Sequence, residues 1–369
     1  MNIYFLIDGM GEDLSKVTIL DSYNFHNLNL LANIGEMGLY KPIMRKFVSN
    51  VETYVVFPYF FGLTSDSNPG RAGLELFKAG INVSEYPITS LVRIIENSYD
   101  LQALLNAQNV IDKWSNIPLL NNMMVVENIL IEISNKYDIK FVKSNKRVNL
   151  WAIGSKNRTN YERFIAELNY KLFKINCAAY SMLYNEFSPK KTNILVSNTY
   201  FCGWAFNSLQ YAFEYIGIKD IQANEYLNRN SVYEYEAKIK NFNDFILNVL
   251  QNNVNTNNNF IIFIKEVSSA AKENINAKEK RIEALSFVDK ILGSIFNHFF
   301  FKDVNLILLS DHQTNFGNKH NFDDPSIYCY SNLKKCSNKK SIFSEKEAYN
   351  ENGIILQKQL IHNIYHFIK

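Results

Sequence analysis

"NLILLSDHQTNFGNKHNFDDPSIYCYS", residues 305–331, decides how the rest of the chain is read. The apolar run Val304 to Leu309 has the length and composition of a strand buried on both faces, and it ends in Ser310-Asp311-His312. A second histidine, His320, arrives eight residues after the first. Open α/β sheets keep their chemistry beyond the carboxyl ends of their strands, so an adjacent carboxylate and imidazole at such a tip predict a site there. Carboxylate oxygen and imidazole nitrogen together suit Zn²⁺ or Mn²⁺.

Working outward, the opening run Ile3 to Ile7 is a second strand with a carboxylate at its tip, since it ends in the turn Asp8-Gly9. Residues 22–34 carry Leu28, Leu31 and Ile34 at helical spacing, with Gly35 as a stop. Strand and helix then alternate. "VNLWAIG" (148–154), a helical stretch at 159–174, "TNILVS" (192–197), a helical stretch at 205–216, "NNFIIFIK" (258–265) and an amphipathic segment at 277–297 lead back to the strand first quoted. This βαβ rhythm predicts an α/β fold with a mostly parallel sheet. The rhythm breaks between about 85 and 190, which predicts a metal-binding core from 1–85 and 190–369 and an inserted lobe at 86–189.

Composition narrows the function classes. The chain has 369 residues, 47% of them hydrophobic, enough for one large core with a smaller companion. Lys+Arg 39 against Asp+Glu 36 gives a net charge of +3, and no basic block interleaves with aromatic residues, so nucleic acid is not an expected partner. Four cysteines without CxxC spacing point to a reducing compartment. No stretch approaches the length of an apolar membrane span, and "MNIYFLIDGMG" reads as a strand rather than a leader; a cytoplasmic location is expected. Neither glycine-rich nucleotide-binding fingerprint occurs.

The order of these pieces resembles the alkaline phosphatase superfamily, and within it the archaeal-type cofactor-independent phosphoglycerate mutases. The resemblance runs through "FLIDGMGED", "TILDSYNFHNLNLLANIGEMGL", "ETYVVFPYFFGL", "NPGRAGLELFKAGINV", "FIIFIK" and "LLSDHQTNFGNKHNFDDPSIYCYS", and covers about two-thirds of the chain. It implies a doubly wound core. In that family the chain order is a metal-binding Asp, a nucleophilic Ser or Thr, an Asp-x-x-x-His pair, an Asp-His pair and a last His. The resemblance carries these roles to Asp8, to Thr53, to Asp311 with His312, and to His320. It further suggests Arg71 as a grip on a substrate phosphate or carboxylate, and Asn27 as a residue that orients a substrate group or simply caps; Lys265, at the end of a strand facing the site, either adds charge for substrate binding or is a snorkelling surface lysine.

The third element departs from the family. After "FIIFIK" the expected Asp and His positions hold Ser268 and Lys272, neither of which is an ordinary ligand for a dication. One metal site is therefore expected to be degenerate, leaving one divalent cation, zinc or manganese, with two as the open alternative. Lys272 either supplies part of the missing positive charge to a phosphoryl group or is a solvated helix residue. The implied function is metal-dependent phosphoryl transfer on a small phosphate ester through a phosphothreonine, as a phosphatase or as a mutase or transferase. The alternative is a catalytically inactive relative that binds a ligand or a protein partner. Oligomeric state is unread.

Overall fold

The computed structural model describes residues 1–12, 15, 17–43, 52–96, 120–144, 149–189, 198–203, 207–220, 244, 246–253, 256–271, 276–314, 325–334 and 340–369. The chain divides into two compact units, Met1–Met44 with Ser49–Leu63 and Asn193–Lys369, and Arg45–Val48 with Thr64–Thr192. The first unit begins with β1 (Asn2–Ile7), α1 (Ile19–Ser22), α2 (His26–Ile34), β2 (Glu36–Lys41) and α3 (Thr53–Tyr59). The second contains α4 (Gly70–Lys78), β3 (Ile88–Glu96), α5 (Met123–Tyr137), β4 (Ile139–Lys143), β5 (Leu150–Ser155), α6 (Arg158–Phe173) and β6 (Cys177–Glu186). The chain then returns to the first unit with β7 (Thr199–Gly203), α7 (Asn207–Tyr215), β8 (Lys219–Asp220), β9 (Asn259–Ile264), α8 (Glu266–Ala271) and α9 (Ala277–Phe299). It finishes with β10 (Asn305–Ser310), β11 (Ser326–Asn332), α10 (Glu345–Asn352), β12 (Ile354–Leu356) and α11 (Gln357–Ile368).

The eight strands of the first unit are ordered β12-β2-β11-β10-β1-β9-β7-β8. Every pairing is parallel except the two that β11 makes with β10 and β2. The central strands are apolar without alternation because both of their faces are covered. Ile3, Phe5 and Ile7 of β1 join Leu28 and Leu31 of α2 and Val288 and Leu292 of α9 in one core. On the opposite face Tyr4 meets Phe61, Phe61 meets Phe213 of α7, and Phe57 of α3 meets Phe263 of β9. The sheet is doubly wound, as the sequence predicts.

In the second unit four strands pair antiparallel in the order β4-β5-β3-β6. Helices α5 and α6 cover one face through Val126, Leu130, Phe164 and Leu168 against Val92, Ile94 and Trp151. Residues 64–85, expected in the core, fall in this unit. The physical reason is α4: Leu76 packs so close to Gly154 of β5 that a Cβ there would stand 2.9 Å from its Cδ1, and Thr89 of β3 donates to Pro69 O at 2.8 Å. The expected strand at 192–197 lies outside the described residues. Among the described residues, no helix is long and apolar enough to cross a membrane.

Candidate active site

Register places the site. Ile7 stands opposite Ser310 of β10 on one side and Ile264 of β9 on the other, so the next residues of three adjacent strands are Asp8, Asp311 and Lys265. Asp8 is still held by the ladder, its N–H donating to Ile264 O at 2.9 Å. Gly9 then turns the chain with φ +65°. Glycine is required on two counts, since a Cβ at residue 9 would also stand 2.2 Å from Thr314 Oγ1 and 2.9 Å from Ser268 Cβ.

That turn aims the Gly9 N–H at Asp311 Oδ1, 3.0 Å away, and the Met10 N–H at Ser310 Oγ, also 3.0 Å away. Thr53, the first residue of α3, donates its hydroxyl to Asp311 Oδ2. His312 Nδ1 lies 2.9 Å from Asp311 Oδ1 and 3.7 Å from Asp8 Oδ1. Asp8, Thr53, Asp311 and His312 are all buried. Burial works to raise the Asp311 pKa, but the charge of His312 and the bonds from His312, Thr53 and Gly9 outweigh it and hold the carboxyl below its ordinary range. Tyr40 closes the floor by donating to Ser310 O. Burial first, and the Asp311 charge second, push its phenol well above the ordinary range, so it stays a neutral donor.

One donor atom each from Asp8, Asp311 and His312 lie within 4.8 Å of one another. Two carboxylates and an imidazole converging in a buried recess fit a divalent cation of the zinc or manganese type, with the Thr53 hydroxyl at its edge. Four of the expected site residues are thus brought together. Lys272 and His320 lie outside the described residues. Ser268 is at the site, beside the Gly9 backbone, with 1% exposure; its hydroxyl has no hydrogen-bond partner among the described residues.

Asn27 is otherwise engaged and Lys265 lies in the open. Asn27 is engaged with α9: its N–H reaches Asp289 Oδ1 at 2.8 Å, and its amide donates to Asp289 O at 2.9 Å and Oδ2 at 3.0 Å. That is a helix–helix tie. Lys265 is exposed at the end of β9. Arg71 belongs to the second unit, where it pairs with Glu75 at 3.6 Å; burial and then the charge of Arg71 push the Arg93 pKa down to about 10.

Sequence reasoning passed over Glu266, Arg281, Glu12 and Glu345. Burial pushes the Glu266 pKa up to about 7, with the charge of Asp8 acting in the same direction. Arg281 did leave a signal: it lies on the apolar stripe of α9, in register with Ala284, Leu285 and Val288. A charged residue on such a stripe is exceptional.

No family model and no curated protein matches the sequence. Solved structures do. The PH0037 protein from Pyrococcus horikoshii aligns with 14% identity and a TM-score of 0.62, over 100% of this chain and 97% of that one. The cofactor-independent phosphoglycerate mutase from Thermoplasma acidophilum aligns with 13% identity and a TM-score of 0.56, over 100% of each chain. At such identities the likeness is one of fold, shared with a cofactor-independent phosphoglycerate mutase.

Proposed function

From the shared fold and the four-residue site, we propose that the protein is a metal-dependent phosphoryl-transfer enzyme acting on a small phosphate ester through a phosphothreonine at Thr53. The observation that carries this reading is the Thr53 hydroxyl bonded to Asp311 Oδ2, in a buried recess where Asp8 and His312 converge. Asp311 is ionised at neutral pH and accepts the hydroxyl, which leaves the Oγ1 lone pairs directed away from it, toward an incoming phosphorus. A divalent cation bound by Asp8, Asp311 and His312 would lower the pKa of that hydroxyl and offset charge on the phosphoryl oxygens.

In the first step the Oγ1–P bond forms, the ester P–O bond breaks and the alcohol leaves with a proton. In the second, water or another hydroxyl attacks phosphorus, the Oγ1–P bond breaks, and the attacking group's proton goes to Oγ1, restoring the Thr53 hydroxyl. Water gives phosphatase activity, and a hydroxyl of the substrate or of another molecule gives mutase or transferase activity. The Thermoplasma likeness supports a mutase-like substrate class, a small phosphorylated acid. Zinc or manganese is the expected cation, and the cytoplasm the expected location.

A second reading has one observation in its favour. Ser268, with its neutral buried hydroxyl, stands where the resemblance expects a carboxylate, which suits an inactive relative that binds a ligand or protein partner. The deciding experiment incubates the full chain with Mn²⁺ or Zn²⁺ and p-nitrophenyl phosphate or 3-phosphoglycerate, followed by acid quench and peptide mass spectrometry. Turnover with phosphate on Thr53 is expected. No turnover and no phosphothreonine, with metal bound, would overturn the enzyme in favour of the binding module.

A further inference from the structure

Arg281 is fully buried on α9, where the helix stripe calls for an apolar residue. A buried guanidinium costs several kcal/mol unless its donors and charge are matched, so its partners tell what the chain gains from it. Its Nη2 donates to three successive carbonyls, Gly9 O at 3.3 Å, Met10 O at 2.9 Å and Gly11 O at 2.9 Å. Its Nη1 donates to Thr314 O at 2.5 Å. The first three carbonyls follow Asp8 directly, and Thr314 stands two residues after His312.

The countercharge is fixed as well. Glu12 Oε1 lies 3.0 Å from Arg281 Nε, and its other oxygen accepts the Ile19 N–H at 2.7 Å. Glu345 of α10 accepts the Glu12 N–H at 2.9 Å and the Thr18 hydroxyl at 3.2 Å. The two segments also touch each other, with the Thr314 N–H on Gly11 O at 3.0 Å and a bridge between Gly11 and Gln313. Beyond the last ladder bonds of β1 and β10, then, one cation ties both departing segments together.

We propose that Arg281 is a positioning residue for the phosphoryl-transfer site: by binding the backbone after Asp8 and the backbone after His312, it sets the separation of the two ligand-bearing tips. This rests on the phosphoryl-transfer reading above. Ligand geometry tolerates errors of only about half an ångström, so a lysine, with its single ammonium, keeps the charge but loses the fork that spans four carbonyls.

The test is a Co²⁺ titration of the full chain, read by visible absorption and calorimetry, on wild type, Arg281→Lys, Arg281→Met and Leu292→Ala. Leu292 is a buried residue of the same helix, about three turns beyond Arg281, and controls for lost stability. Both arginine variants are expected to bind Co²⁺ about tenfold more weakly or worse, with an altered absorption band. Leu292→Ala is expected to lower the melting temperature while keeping the wild-type band and an affinity within about twofold. If Arg281→Met does not fold, Arg281→Lys and Glu12→Gln carry the comparison. Wild-type affinity and spectrum in the arginine variants, or equal weakening in Leu292→Ala, would overturn the positioning role alone. A wild-type chain that binds no Co²⁺ would overturn the phosphoryl-transfer reading and this role with it.

Discussion

Strand β1 has a parallel neighbour on each side, and the two neighbours end in opposite ways. β10 runs into Asp311 and His312, where a backbone N–H, a threonine hydroxyl and an imidazole converge on one ionised carboxylate. β9 runs into Lys265, Glu266 and Ser268, where the first is exposed and the last offers a buried hydroxyl with no partner among the described residues. The difference teaches where electrostatic investment lies. The β10 side is built to hold a carboxylate ionised, and Arg281 binds the backbone that follows it; the β9 side has a lysine at the corresponding tip and a neutral buried hydroxyl, Ser268, three residues beyond.

The largest effect is expected at the β10 side. Thr53→Ala should lower phosphate-ester turnover by on the order of 10⁴-fold while leaving metal content unchanged, and Thr53→Ser should retain most of the rate. Steady-state kinetics beside elemental analysis separates the two. Equal turnover in Thr53→Ala would remove the nucleophile from the account.

The β9 side can be sharpened by restoring what the resemblance expects. Ser268→Asp with Lys272→His should raise bound metal from about one to about two ions per chain. Unchanged stoichiometry would mean that the two tips differ in more than ligand identity.

Gly9 lies between the two tips, and a Cβ on it would collide with Thr314 on one side and Ser268 on the other. Gly9→Ala forces a side chain into a positive-φ position already filled, and should cost about 2 kcal/mol or more in thermal or urea unfolding, with weaker metal binding. Wild-type stability would show that the turn is looser than its contacts imply.

A pH-dependent effect concerns Glu345, the carboxyl that accepts the Glu12 N–H and the Thr18 hydroxyl beyond β1. Burial first, opposed by backbone bonds and then reinforced by the Glu12 charge, pushes the Glu345 pKa up to about 7 from its ordinary 4.5. The fold therefore binds this proton more tightly than the unfolded chain does. Its stabilising contribution is complete below about pH 4.5 and is lost as pH rises through about 7, at most about 3 kcal/mol in all. Glu345→Gln should flatten the stability profile across that window, as measured by denaturant unfolding at a series of pH values.

How much of this was legible follows the kind of signal each part leaves. The strands ending at Asp8 and Asp311 were readable because two covered faces demand unbroken apolar runs, and a carboxylate that stops such a run is conspicuous. Thr53 was reached only through the family resemblance, since a threonine at a helix start has no distinguishing pattern of its own. The division after residue 63 was invisible because α4 has the amphipathic spacing of any surface helix, and nothing local says which sheet it covers. Asn27 was misleading in the same way. Its position at the start of α2 suits a substrate contact equally well, and only the fold reveals Asp289 beside it. Arg281 could have been found by asking why a charge interrupts the stripe of α9.

The central claim is that Asp8, Asp311 and His312 hold one divalent cation beside Thr53, and the most direct measurement is elemental analysis of the purified full chain against Asp311→Asn. The account predicts about one zinc or manganese ion per chain in the wild type and none in the variant. A wild-type chain that holds no metal even after supplementation, or a variant that keeps its metal, would contradict it.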